Sequence, residues 1–265
     1  MNPSSIDFVL LIPCFNNSDG LMRSLESISY PKNKYEILVI DDGSMIPISE
    51  IGLKEKLPEL PIQIIRLNVN QGIVHALNTG LKILSSRKDI KYIARLDAGD
   101  SCSMDRFYKQ VDFLDKTPEI SILASWARFE NDSGKGYDYT TETTHDKILN
   151  EMHFKCSFIH PSVMFRAEIM NTIGFYPENY PYAEDYAFFW KILKLYKGAV
   201  IPEKLVYIEF SKKNVSVENY RKQLFSRKRV IKEFGNNPFR KLIGLGILNL
   251  KFVLPLKIIQ ILKSI

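Results

Sequence analysis

Over its first hundred residues the chain alternates between short unbroken apolar runs and runs whose apolar positions recur at helical spacing. "FVLLIPCFN" (8–16) is an apolar run stopped by Pro13 and Asn16, which predicts a buried strand leading into a loop. "GLMRSLESI" (20–28) puts Leu21, Leu25 and Ile28 on one face and predicts a helix. "YEILVIDDGS" (35–44) predicts a second buried strand, ended by two acids and a glycine. "IQIIRLNVNQG" (62–72) predicts a third strand, "IVHALNTGLKIL" (73–84) a helix, and "IKYIARLDAGD" (90–100) a fourth strand.

Strand and helix alternating in short steps predict an α/β fold with a mainly parallel central sheet and helices on both faces. Ligands of such sheets bind outside the carboxyl ends of the strands. Four polar clusters fall at that edge: Asn16 after the first strand, Asp41 and Asp42 after the second, Asn70 and Gly72 after the third, Asp97 and Asp100 after the fourth. Asp, Asn and Gly favour turns, but four clusters at one edge exceed what turn chemistry asks for. Asp97 and Asp100 are separated only by Ala98 and Gly99, and two carboxylates held close repel unless a positive charge lies near them.

Beyond residue 105 the pattern changes. "DRFYKQVDFLDKTP" (105–118) predicts an amphipathic helix, "ISILASWARFE" (120–130) a strand, and the polar 131–146 a loop or hairpin. Residues 160–176 predict a strand, then a helix, then a turn; 182–198 predict an apolar-faced helix opened by acids. Trp126, Phe188, Phe189 and Trp190 are expected in the core. His75 is expected to be structural.

Of the 265 residues, 45% are hydrophobic and 25% charged, ordinary values for a soluble globular protein. The net charge of +6 hides an asymmetry: residues 211–265 carry thirteen Lys or Arg against two acids, leaving −5 for the rest. Such a basic end points to nucleic acid, to an anionic membrane, or to a solvated face. Cys14, Cys102 and Cys156 lack metal or redox spacing, which predicts reduced thiols in a cytoplasmic setting. The start has no basic n-region or cleavage site, and no apolar run is long enough to span a bilayer.

There is no G-x-G-x-x-G after the first strand, no G-x-x-x-x-G-K-[ST], no H-E-x-x-H and no G-x-S-x-G. A sheet that holds a diphosphate without a glycine-rich loop can use a carboxylate-bound divalent cation. Six segments then stand in a familiar order and spacing: "LIPCFNN", "EILVIDDGS", "NQGIVHALNTGL", "IARLDAGDSCSMDRFYKQVDFL", "HPSVMFR" and "AEDYAFFWKIL". Across residues 8–216 the chain resembles glycosyltransferase family 2.

That resemblance implies a GT-A fold over 1–216, with a nucleotide-binding half to about 105 and an acceptor-binding half over 106–216. It implies an inverting transferase that uses a nucleoside-diphosphate sugar, often a UDP-sugar, and a glycan or lipid-linked acceptor in bacterial surface-polysaccharide synthesis. Pro13 and Phe15 would line the nucleoside pocket together with Asn16. Asp42, with Asp41, would receive the base; Asn70 and Gly72 would open the helix beneath the nucleotide. Asp97, Ala98 and Asp100 occupy the D-x-D region and would hold Mn²⁺ or Mg²⁺ on the diphosphate. Asp185 would be the catalytic base, with Glu184 and His160 at the acceptor site; His160 reads equally as a core histidine. Many relatives read D-A-D-D where this chain has Gly99, and many carry Arg and His where it has Glu209, Phe210 and Ser211, with Lys212 and Lys213 as substitute cations.

Residues 217–265 read as a separate basic helical tail. From 256 on, Lys257, Gln260 and Ser264 share one helical face. Lys251 and Pro255 interrupt the apolar run, so the tail is expected to lie in an anionic inner-leaflet surface, or else to pack on the domain or form a homodimer. Its high apolar content argues against nucleic acid. A sugar nucleotidyltransferase and a non-catalytic nucleotide-sugar-binding protein stay open as other readings.

Overall fold

The computed structural model describes residues 6–131, 134–209 and 219–253. Its centre is a nine-stranded mixed sheet in the order β3-β2-β1-β4-β8-β6-β9-β5, with β7 paired to β6. The strands are β1 (Ile6–Cys14), β2 (Tyr35–Asp41), β3 (Ile62–Arg66), β4 (Ile90–Arg95), β5 (Ser101–Cys102), β6 (Ile120–Glu130), β7 (Gly136–Tyr139), β8 (Met164–Arg166) and β9 (Lys197–Glu209). The helices are α1 (Ser18–Glu26), α2 (Glu50–Lys56), α3 (Ile73–Ser85), α4 (Arg106–Lys116), α5 (His145–Glu151), α6 (Met170–Ile173), α7 (Glu184–Leu193), α8 (Tyr220–Phe234) and α9 (Pro238–Val253).

β1 lies between β2 and β4, all parallel, with Cys14 opposite Asp41 and Leu11 opposite Arg95. A strand covered on both faces reads as a continuous apolar run. In β1 the period of two sends Val9 and Leu11 to one buried cluster and Phe8, Leu10 and Ile12 to the other. Helices α3, α7 and α8 cover the first face; α1 and α4 cover the second. The sheet turns antiparallel at β8, which pairs with both β4 and β6, and parallel again where β6 meets β9.

The structure corrects several expected boundaries. β1 begins at Ile6, and β3 and β4 end at Arg66 and Arg95, so the polar clusters stand in loops. Of the two expectations for 131–146, loop or hairpin, the hairpin holds, with β7 as its second strand. The run expected as a helix to 198 is α7 followed by β9, the longest strand. Pro202 hides β9 in the sequence, because proline gives no ladder hydrogen bond. The structure accommodates it in a bulge: Ser125 opposes Ile201, and Trp126 opposes Lys204.

The C-terminal basic segment shares the main core. Leu224, Val230, Ile231 and Phe234 of α8, and Leu248 of α9, are buried in the same cluster as Trp190. His153 ties the pair down. Its Nδ1 lies 2.9 Å from the Leu149 carbonyl, and its Nε2 accepts from the Asn237 amide at 3.2 Å. A carbonyl needs a donor and an amide an acceptor, so His153 is neutral with its proton on Nδ1. Burial favours the same form by lowering its pKa. The expected amphipathic face from 256 on, and Phe210 to Lys213, lie outside the described residues. No helix among the described residues is long and apolar enough to cross a membrane.

Two glycines of α9 test this packing. A Cβ at Gly244 would stand 2.0 Å from the His153 carbonyl oxygen, whereas one at Gly246 meets nothing within 4 Å. Gly244→Ala is expected to destabilise the fold by about 1–3 kcal/mol. Gly246→Ala is expected to stabilise it by about 0.4–1 kcal/mol through lost unfolded-state freedom. Thermal melts of the two variants should move in opposite directions; equal shifts would mean that α9 packs elsewhere.

Candidate active site

The four strand-end clusters meet at one edge of the sheet, but their side chains divide into two kinds. Asp41 has no exposed surface; its oxygens accept from the Ser44 and Ile48 amides at 2.9 and 3.3 Å, with Arg66 3.5 Å away. Asp42 is also buried and accepts from the Gln71 and Gly72 amides at 3.0 and 2.9 Å. Both carboxylates shape the loops at this edge. Phe15, Asn16 and Asn70 are exposed there, Pro13 is buried beneath them, and Gly72 opens α3 with φ +89°. Asn16, with φ +50°, is fixed by Ser44 Oγ on its amide and by Met45 N on its side-chain oxygen.

The Asp97–Asp100 loop is bound to α1 by small polar side chains that the sequence reading passed over. Asn17 donates to the Ala98 carbonyl at 2.8 Å while capping α1 at Gly20. Ser24, fully buried, accepts from the Gly99 amide at 2.9 Å, and Ser27 accepts from the Cys102 amide at 3.0 Å. The available signal was Gly20, Ser24 and Ser27, small residues spaced four and three apart beside the apolar face of α1.

Arg95, the last residue of β4, is the other residue not anticipated. Its guanidinium is buried, donating to Asp97 Oδ1 and to the Leu96 carbonyl, both at 2.6 Å. Its own carbonyl accepts from buried Arg106 at 2.7 Å. A charged residue ending an apolar strand was its signal. Asp97 keeps about a third of its side chain exposed (34%), so this carboxylate has an accessible edge. Asp100 is turned inward and accepts from the Glu209 amide at 3.3 Å. Burial, then the charge of Asp97, push its pKa well up.

The second half contributes the start of α7. Tyr182, with φ +63°, turns the chain into the helix, a strained conformation for a bulky side chain. Glu184 and Asp185 follow in the first turn, where the helix dipole favours negative charge. Burial and the adjacent Asp185 push Glu184 up to about 7, while Arg95 acts in the opposite sense. Asp185 is half-buried, and burial raises its pKa against the Tyr186 amide, bound at 2.7 Å, and the charge of Arg227. The charge of Asp97 adds to the rise at Asp185, so the two carboxylates lie within electrostatic range of each other. Arg227 comes from α8; it donates to the Phe154 carbonyl at 3.2 Å and lies 5.6 Å from the centre of the Tyr186 ring.

His160 is within 2.9 Å of the Tyr176 hydroxyl. Burial, then the charge of Arg95, hold its pKa well below the ordinary histidine value, so it is neutral. Asn78 of α3 grips the Tyr176 backbone by two hydrogen bonds of 2.9 Å, linking the two halves. His160 thus lies within the electrostatic reach of Arg95 while also packing on Phe189.

Among the described residues no three His, Cys, Asp or Glu side chains are grouped to hold a metal by themselves. A cation carried by a diphosphate needs less, since one or two carboxylates and the phosphates complete its shell. The oxygen donor of Asp97, with its accessible edge, fits that demand. Gly99 does not add to it: its φ is +114°, and a Cβ there would sit 3.3 Å from Asn17 Nδ2 and 3.8 Å from Glu209 Oε2. Glu209 is itself paired with Arg23 at 2.6 Å.

Gly99→Ala is therefore expected to cost about 1–3 kcal/mol of stability through backbone strain. Gly99→Asp should cost a similar amount. Urea unfolding midpoints of the two variants check this; an unchanged midpoint for either would show that the loop relaxes freely.

Comparisons with known proteins identify the family and the fold. The family model described as "Glycosyl transferase family 2" matches residues 9–174. The chain is 30% identical over 270 residues to the amylovoran biosynthesis glycosyltransferase AmsE of Erwinia amylovora, covering 96% of this chain and 97% of that one. It is 32% identical over 217 residues to the UDP-Gal:alpha-D-GlcNAc-diphosphoundecaprenol beta-1,3-galactosyltransferase of Escherichia coli, covering 80% and 77%. Among solved structures it resembles S. aureus TarS 1–349 in complex with UDP, with a TM-score of 0.65 at 19% identity over 92% of this chain and 70% of that one. It also resembles the mannosyltransferase PcManGT of Pyrobaculum calidifontis in complex with GDP-Man and Mn²⁺, with a TM-score of 0.65 at 17% identity over 90% and 68%. The mixed sheet with its polar carboxyl edge is that of GT-A glycosyltransferases, and the chain belongs to glycosyltransferase family 2.

Proposed function

We propose that this glycosyltransferase moves a hexose or N-acetylhexosamine from a UDP-sugar to a hydroxyl of a lipid-linked or glycan acceptor, with inversion, in the synthesis of a bacterial surface polysaccharide. The observation that carries the reading is the accessible carboxylate of Asp97, held on Arg95 at the carboxyl end of β4, together with the Glu184–Asp185 pair that opens α7. The uridine reading draws on the UDP-Gal named for the Escherichia coli relative and the UDP in the TarS complex. The acceptor reading draws on the diphosphoundecaprenol named for that relative, and it puts the enzyme at the cytoplasmic face of a membrane.

In this reading Phe15, Asn16 and Asn70 line the nucleoside site, with Pro13, Asp41, Asp42 and Gly72 holding the loops that form it. Asp97 and Ala98 lie beside the diphosphate, and Asp100 braces them from within. A Mn²⁺ or Mg²⁺ bound at Asp97 would neutralise charge on the departing diphosphate. The acceptor oxygen attacks the anomeric carbon, the bond from that carbon to the diphosphate oxygen breaks, and UDP leaves. Asp185 takes the acceptor proton. Burial raises its pKa and so its basicity, while the Tyr186 amide and the Arg227 charge oppose that rise; Glu184 beside it is pushed up to about 7. His160, neutral, orients the acceptor through its edge of the site.

Asp185→Asn should lower turnover by roughly 10²–10⁴-fold with UDP affinity kept, the usual worth of a general base. Glu184→Gln should retain far more turnover and remove the inflection near pH 7 that ionisation of Glu184 puts into the wild-type rate profile. Equal losses in the two variants would exchange their roles.

The cation has its own check. Titration calorimetry should find that Mn²⁺ tightens UDP binding and that Asp97→Asn removes the gain. A Mn²⁺ effect that survives Asp97→Asn would move the cation to other ligands.

A further inference from the structure

We propose that the outer face of α9 is a docking surface for an anionic lipid membrane. The inner line of this helix, Gly244 and Leu248, is buried against the domain. Its outer line is apolar as well: Phe239, Leu242, Ile243, Ile247, Leu250 and Val253 are exposed, Leu242 by 71% and Val253 by 81%. No described residue covers that line. A helix on the surface of a soluble domain normally turns its polar side outward, so this arrangement is inverted.

The charges around the face choose its occupant. Every charged residue of α9 is cationic: Arg240, Lys241 and Lys251. The adjacent α8 carries six more cations, of which Arg227 and Arg229 turn back onto the domain, and one acid, Glu233, which accepts from the Tyr180 hydroxyl. Arg221 and Lys228 of α8 lie 6.0 and 4.7 Å from the ring centre of Phe252, so cations stand at one end of the apolar line, where Val253 is exposed. A second copy of this face would bring like charges together, with no acids on α9 to answer them. An anionic lipid surface answers both features, taking the apolar residues below the headgroups and the cations among them.

The face is presented rigidly. Gly244 against the His153 carbonyl, and Leu248 in the core, fix α9 to the folded domain, so docking would orient the whole enzyme. The expected membrane contact, the tail of 217–265, thus narrows to residues 239–253. The proposed surface stands apart from the donor chemistry and does not rest on it.

Vesicle co-sedimentation of the full chain tests this. The protein should pellet with phosphatidylglycerol-containing vesicles at low salt and much less with pure phosphatidylcholine. Binding should fall at about 1 M salt, where the screening length is about 3 Å. The double variant Leu242→Glu/Leu250→Glu should lose binding by roughly tenfold or more, since two exposed leucines are replaced by charges. Its melting temperature and UDP affinity should match wild type, because both positions are solvent-facing. Wild-type protein that stays in the supernatant with anionic vesicles at low salt overturns the proposal. So does undiminished binding of the double variant. A dimer in sedimentation velocity that the double substitution splits, without vesicle binding, would assign the face to a second copy instead.

Discussion

The site is organised around the buried guanidinium of Arg95. A charge taken out of water is tolerated only with close partners, and Arg95 has its partner in Asp97, at 2.6 Å. Its field reaches further. It opposes the raised pKa values of Asp100 and Glu184, and it helps to keep His160 neutral. Burial and neighbouring carboxylates raise Asp100 and Glu184, and the buried charge of Arg95 offsets part of that rise in both halves.

Around that charge the geometry is assembled from distant parts of the chain. α1 binds the Asp97–Asp100 loop through Asn17, Ser24 and Ser27. α4 supports it through Arg106, whose guanidinium also reaches Gln110, which in turn donates to the Ser162 carbonyl. Asn78 and Tyr176 join α3 to the turn before α7. Buried polar links of this kind specify one arrangement more sharply than apolar packing does.

Much of this was legible in the sequence. The parallel strands stood out because burial on both faces makes them continuous apolar runs, and the acids stood out because they end those runs. β9 was hidden by Pro202, whose bulge only the partner strand explains. Asp41 and Asp42 were legible as edge residues, but their hydrogen bonds to loop amides were not, since those depend on where 44–48 and 71–72 fold back. Arg95, Ser24 and Arg227 carry no sequence motif of their own; their roles are set by neighbours far away in the chain. The C-terminal segment looked like a detached tail because its outward face is as apolar as its inward one.

That segment connects two properties of the enzyme. α8 turns Arg227 toward Asp185 and Tyr186, while α9, packed on α8, turns its apolar line outward. The residue that favours ionised Asp185 and the proposed lipid-facing surface therefore belong to one helix pair, locked to α5 by His153. The proposed lipid-linked acceptor would be confined to a plane, so its reacting hydroxyl could be reached only if the proposed base, Asp185, stands at a set height and tilt above that plane. A mobile tail would leave both free. A helix pair built into the core removes that freedom before the acceptor arrives, and lost orientational freedom is a large part of what a transferase must overcome. This gives a physical reason for α8 and α9 to share the buried cluster around Trp190 rather than hang from it.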